Sequence, residues 1–192
     1  VDTTFEDQTF ENQDFTQKNL EKGSYEYCKF SNCDFSNTDL SSIKFMECTF
    51  VHCNLSMAKL QQTAFMEVVF KENKMLGLRF EDCNPFGLSF RFEHCNLSHA
   101  SFYNTKLQKT PFHHTQLIDV DFSECDLSAA VFEHCDLSGA TFDQTNLAKA
   151  DFRNALNYRI DPERNNIKKA RFSQSGISGL LSKYDIEIDR AS

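Results

Sequence analysis

The sequence predicts an all-β solenoid, a chain wound into four-cornered coils stacked on one another. Two periodicities and an unusual composition predict it. Phe or Leu recurs at every fifth position: in "FEHCDLSGATFDQTNLAKADF", residues 132–152, Phe132, Leu137, Phe142, Leu147 and Phe152 keep the beat. The same residue type also recurs every twenty, as Phe10, Phe30, Phe50 and Phe70 and, after a slip of two, from Phe92 through Phe112, Phe132 and Phe152 to Phe172. The 192 residues include 20 Phe, no Trp and only 6 Gly, so one apolar residue type is being asked to fill a repeated slot.

A period of five fits neither simple element. On an α-helix it spreads apolar groups about 140° apart, over every face. In a flat strand, residues five apart point to opposite sides. A chain that turns a corner every five residues buries the pattern, and four corners close one coil of twenty. Each coil then covers its apolar sides only against its neighbours.

The first phase runs from Phe5 through Phe80, with Leu20, Leu40 and Leu60 forming their own column. At "RFEDCNPFGLSFRFEHC", 79–95, Pro85 and Gly87 occupy the slip, and a bulge or a bend between two halves is expected near 81–91. The second phase runs from Phe92 to Phe152. In "NALNYRIDPERNNIKKARF", 154–172, Ile167 and Phe172 return to the earlier phase, so 157–166 reads as a protruding loop in place of two units. The solenoid therefore spans 1–172. Residues 173–192 change character: Ile177, Leu180, Leu181 and Tyr184 follow i, i+3, i+4, i+7 spacing behind Ser173 or Ser175 as an N-cap. Ile186 and Ile188 then alternate like a short strand. This short C-terminal capping helix closes the open end of the stack. Its six apolar residues exceed what a cap needs, so Ile177, Leu180, Leu181, Tyr184, Ile186 and Ile188 are the expected cap and homodimer interface.

The units "CDFSN", "CDLSA", "CDLSG" and "TNLAK" resemble pentapeptide repeats, the A(D/N)LxX family, over roughly residues 3–172. The resemblance implies a right-handed quadrilateral β-helix in which each unit's large centre and the small residue two before it point inward. About eight coils at about 4.8 Å each would make a rod about 38 Å long. In the gyrase-binding members that this chain resembles, a C-terminal helix also forms the dimer seam.

Eight cysteines invite a disulfide or zinc reading. Yet Cys28, Cys33, Cys48, Cys53, Cys83, Cys95, Cys125 and Cys135 all fall two before a unit centre, Pro85 being the degenerate centre after Cys83. That slot also takes Ala58, Ala100, Val120 and Ala130. Free Cys serves there as a small apolar residue, with no metal or redox role, and a reducing cytoplasm is implied. His94, His114 and His134, twenty apart, form a vertical ladder with His52 and Asn32 below. Two readings stand: an exposed polar ladder at a tolerant corner, or imidazoles sharing a soft metal ion.

No Gly-rich phosphate loop, HExxH or GxSxG is present, and a filled solenoid offers no deep pocket, so no enzyme and no cofactor are expected. A net charge of −8 argues against direct nucleic-acid binding. No apolar run approaches a membrane span, and no secretory signal is recognisable. The chain opens at Val1 without Met, so a leader or initiator is expected upstream. The leading functional expectation is a non-enzymatic protein-interaction scaffold or immunity-type factor. The alternative comes from the resemblance: members that protect DNA gyrase or topoisomerase IV from poisons resemble duplex DNA in width and charge. For that alternative, residues 1–152 carry a net −11, but 153–192 carry +3, and Lys44, Lys59, Lys74 and Lys106 interrupt the acids. The long loops typical of the quinolone-resistance members are also absent here.

Overall fold

The computed structural model describes residues 3–189. Eleven short strands lie where a large centre and an extended pair of neighbours coincide: β1 (Thr4–Glu6), β2 (Thr9–Glu11), β3 (Ser24–Glu26), β4 (Lys29–Ser31), β5 (Lys44–Met46), β6 (Thr49–Val51), β7 (Ala64–Met66), β8 (Val68–Lys71), β9 (Phe90–Glu93), β10 (Pro111–His113) and β11 (Val131–Glu133). All pairings are parallel, in two sheets ordered β1-β3-β5-β7 and β2-β4-β6-β8-β9-β10-β11. The register is the twenty-residue period itself: Phe10 pairs Phe30, Phe30 pairs Phe50, and Phe112 pairs Phe132. The other two sides are joined by single bridges such as Gln116↔Asp136 and Asp121↔Thr141. Four sides and parallel stacking make the fold a right-handed quadrilateral β-helix. The longer sheet closes six turns between Phe10 and Phe132, fewer than the eight expected. Single bridges Val131↔Asp151 and Asp151↔Arg171 carry its ladder on to the level of Phe172.

The corners explain the rest of the unit. Two residues after most centres the backbone turns left-handed, as at Asn37 (φ 57°), His94 (φ 54°) and Lys149 (φ 63°). Such a conformation costs a non-glycine residue roughly 1–2 kcal/mol. It is offset because the corner amide bonds the next coil, Asn37 N–H to the Ser56 carbonyl at 2.9 Å, for example. Many corners also close a β-turn, Thr38 N–H to the Phe35 carbonyl at 3.1 Å. The Asp or Asn before each centre accepts from the amide two residues on: Asp34 Oδ1 from Ser36 N–H at 2.8 Å, Asp136 Oδ1 from Ser138 N–H at 3.0 Å. An Asx turn is thus the physical content of "D-L-S".

Inside, Phe rings stack coil on coil. Phe112 lies 5.3 Å from Phe92 and 5.1 Å from Phe132, and meets Phe102 and Phe122 edge-on. All eight cysteines are buried and unpaired. Their slot does more than exclude large groups. Many slot residues face a carbonyl 23 residues earlier, and the thiol donates to it: Cys48 to Tyr25 O at 3.2 Å, Cys125 to Phe102 O at 2.8 Å, Cys135 to Phe112 O at 3.3 Å; Cys95, across the slip, reaches Phe70 O, 25 residues back. Thr63 and Thr145 do the same with hydroxyls, and Asn73 and Asn165 with amides. Burial pushes the Cys48 and Cys135 thiols up to about 12 and that of Cys125 to about 11. These thiols are expected to resist a thiol-specific reagent in the native protein and to react within seconds in denaturant; rapid native labelling would contradict their placement.

Three irregular stretches depart from the repeat. At the slip, β8 pairs β9 with Phe70 opposite Phe92, so this ladder passes through unbroken, and the two extra residues are taken up in the stretch between Phe80 and Phe90. Gly87 turns at φ +68°, and Phe86 stands 79% exposed on the bulge. Leu88 is only partly buried against the core, and Phe90 fills the interior beside it, within 5.4 Å of Phe80 and 5.0 Å of Phe92. The 157–166 stretch is not a simple protrusion. Tyr158 and Ile160 are buried, and Tyr158 lies over the last coil, 5.5 Å from Phe152 and 5.7 Å from Phe172.

The capping segment is helical but 3-10, not α: Gln174–Leu180, then Ser182–Tyr184, with Ser173 Oγ accepting from Gly176 N–H as its N-cap. Ser and Gly are weak α formers, and three residues per turn place Gly176 and Gly179 on one face. Both lie so close to Tyr158 that a methyl group at either would collide with it. Ile186 and Ile188 form no strand; they lie in irregular chain.

Candidate interaction surfaces

With the interior filled by rings and slot residues, chemistry is left to the outside. A depression of about 750 Å³ forms an open groove between residues 153–159 and the 3-10 cap, lined by His134, Leu156, Arg159, Ser175 and Ser178 among others. No helix among the described residues is long and apolar enough to cross a membrane.

Of the six residues expected at the C-terminal interface, Leu180 alone is buried, at 9% exposure, and Leu181 is half-buried. Ile177, Tyr184, Ile186 and Ile188 are about half exposed, at 48–54%. Ile177 and Leu180, three apart, align along the 3-10 segment, yet only Leu180 reaches the core. Charge fastens the segment instead. Lys183 Nζ lies 2.7 Å from both Asp161 and Glu163, and Tyr184 donates to Glu163 at 3.0 Å. The Lys183 bonds hold both carboxyls below their ordinary range. Sequence reasoning missed this clamp because Asp161 and Glu163 lie in the stretch whose coil register it could not assign.

The histidine ladder stands as drawn. His94 and His114 stack at 4.7 Å and 3° between planes, His114 and His134 at 4.8 Å and 19°. Each sits at a left-handed corner, a conformation that His, like Asn and Asp, tolerates better than most side chains. That conformational demand accounts for His at these positions. Parallel stacked rings do not converge on a common point, and no cluster of three potential metal ligands occurs among the described residues. Below, His52 faces Glu72, Nδ1 to Oε2 at 3.4 Å.

Outer charges mix by sign. The side through Phe112 carries Glu93, Glu133, Arg153 and Arg171 on its outer positions. His113 meets Glu133 at 2.7 Å, and Arg153 takes Asp151 at 2.7 Å. The side through Phe122 carries the most acidic stretch, Glu81, Asp82, Asp121, Glu124 and Asp143, but arginines flank that stretch on both sides. Arg79 reaches Glu81 and Asp82 at 3.3 Å each, and Arg164 donates to Asp143 Oδ2 at 2.7 Å.

A family model described as "Pentapeptide repeat region" matches residues 23–102 and 88–152. Among curated proteins no relative matches. Among solved structures, a trypsin-treated variant of QnrB1, a plasmid-mediated fluoroquinolone resistance protein, superposes with a TM-score of 0.63 at 18% identity, covering 97% of this chain and 100% of that one. A second trypsin-treated QnrB1 variant gives 0.57 at 18% identity, with 96% and 99% covered. HetL, a pentapeptide repeat protein involved in heterocyst differentiation regulation from the cyanobacterium Nostoc sp. strain PCC 7120, gives 0.48 at 20% identity over 90% and 87%. At 18% identity the two QnrB1 superpositions speak to the fold alone. The repeat itself, matched over most of its length, places the chain in the pentapeptide repeat family.

Proposed function

We propose that the chain is a non-enzymatic protein-interaction scaffold or immunity-type factor that binds a protein partner through its outer sides, in a reducing compartment such as the cytoplasm. The observation that carries this reading is the sign-mixed surface. Duplex DNA would present roughly 22 phosphates over about 38 Å. Here the acidic stretch from Glu81 to Asp143 is flanked by Arg79 and Arg164, which pair with its first and last acids, and the stretch from 153 onward is net positive. A patchwork of this kind matches a particular protein surface rather than any DNA-binding cleft. Cross-linking capture from the native host tests it. A defined protein retained by the intact chain, and lost with Asp121→Lys/Glu124→Lys, is expected; identical recovery with both would count against it.

A second reading has a specific observation behind it. The Glu81–Asp143 acidic side, together with the family likeness, supports a DNA-mimicking binder of gyrase or topoisomerase IV.

The half-exposed Ile177, Leu181, Tyr184, Ile186 and Ile188 support a homodimer seam at the cap, one self-complementary patch that would also cover the sheet edges at the open end. Leu181→Glu is then expected to convert an end-to-end dimer to monomer by light scattering, and a monomeric parent would leave these residues as a cap alone.

A further inference from the structure

The side that begins at Phe5, passes Leu88 and ends at Ile167 sorts its outer charges along its length. Counting coils from Phe5, Glu6 and Asp7 stand on the first, Glu26 on the second and Glu67 on the fourth. Phe86, 79% exposed on the bulge beside Met66, stands on the fifth. Lys106 and Lys109 follow on the sixth, Lys149 on the eighth, Lys168 and Lys169 on the ninth. All five lysines are exposed, and none has an ion-pair partner among the described residues.

The arrangement is self-complementary about its middle. A two-fold axis through Phe86 carries the first coil onto the ninth, the second onto the eighth and the fourth onto the sixth. Glu6 and Asp7 then face Lys168 and Lys169, Glu26 faces Lys149, and Glu67 faces Lys106 and Lys109. The third and seventh coils each break the sorting once: Lys44 stands with Glu47 on the third and Asp126 with the neutral Ala129 on the seventh, and the axis sets Lys44 opposite Asp126. At the centre the two Phe86 rings meet, so the most exposed aromatic in the protein is covered by its own copy.

We propose that this side is a self-association surface on which a second copy of the chain lies alongside, antiparallel. The inference is independent of the functional reading above and of the cap. Charge complementarity that recurs at three pairs of levels, with the lone bulged aromatic on the axis, selects a second copy over an unrelated partner. A strip about 38 Å long and about 10 Å wide buries on the order of 400 Å² per copy, about half of what a standard-size specific interface buries per partner. The association is therefore weak, and because solvent-facing ion pairs dominate it, strongly salt-dependent.

Sedimentation equilibrium on the full chain carrying Leu181→Glu, which removes any cap-mediated pairing, decides. In about 50 mM salt the protein forms dimers whose dissociation constant rises at least about tenfold in about 500 mM. Lys168→Glu/Lys169→Glu removes the dimer, and adding Glu6→Lys/Asp7→Lys restores it; Lys149 shows that a lysine is accommodated at this left-handed corner. Circular dichroism identical across the set keeps folding out of the comparison. A monomer throughout in low salt, a dimer indifferent to the reversal, or failure of the charge swap to restore it would each overturn the proposal.

Discussion

Phe112→Asp is expected to leave the protein unfolded at room temperature. Phe112 is fully buried, with a ring 5.1–5.3 Å above and below it and two more edge-on. A carboxylate there has no donor to receive it, and the lost ring leaves a cavity in the middle of the stack, so the penalty reaches several kcal/mol. Because each coil is buried only by its neighbours, the defect cannot be sealed off and breaks the solenoid at its centre. His114→Asp, two residues on, is the matched control. That side chain is exposed at a left-handed corner that aspartate also adopts at Asp7 and Asp119, so the change is under about 1 kcal/mol. Thermal unfolding followed by circular dichroism separates the two; equal losses would refute the inward–outward assignment.

Asn73→Ala is the second large effect. Asn73 is 3% exposed and fills the slot that Cys fills one coil before and one coil after. Its Oδ1 accepts from Cys53 N–H at 2.6 Å and its Nδ2 donates to the Phe50 carbonyl at 2.9 Å. Removing the amide strands one backbone donor and one acceptor in the interior, each at about 1–3 kcal/mol, so a loss of about 2–4 kcal/mol is expected. Asn165 repeats the arrangement, with Thr145 N–H at 2.9 Å and the Phe142 carbonyl at 3.0 Å. Asn165→Ala is expected to cost less in global stability, since the frayed end of a solenoid opens more readily than its middle. Chemical denaturation of both variants measures this, and a neutral Asn73→Ala would show that the slot needs only small volume.

Coil, column and slot were legible because each follows from spacing alone. Phe10 to Phe132 set the register, and the cysteines declared the slot. What the slot residues do was not legible. A five-residue count says that Cys48, Thr63 and Asn73 are equivalent, but only the stacking shows a carbonyl waiting 23 residues back. Phe90 escaped notice because it is the one Phe in a position meant for a small residue, two before the centre Phe92. The cap was read as an α-helix from the spacing of Ile177, Leu180, Leu181 and Tyr184. Gly176 and Gly179 carried the contrary signal, a close approach to Tyr158 that favours three residues per turn. The surface was least legible. Signs could be counted along the chain, but Arg79 and Arg164 closing off an acidic side is a fact of three dimensions.

The claim that the outer surface is a mixed-sign binding face, not an imitation of DNA, is tested most directly by supercoiling with purified gyrase in low salt. Titrated to tens of micromolar, the protein is predicted to leave supercoiling unchanged. Dose-dependent inhibition that fades as salt is raised, and that Asp121→Lys/Glu124→Lys abolishes, would contradict the claim and establish the acidic side as a DNA mimic.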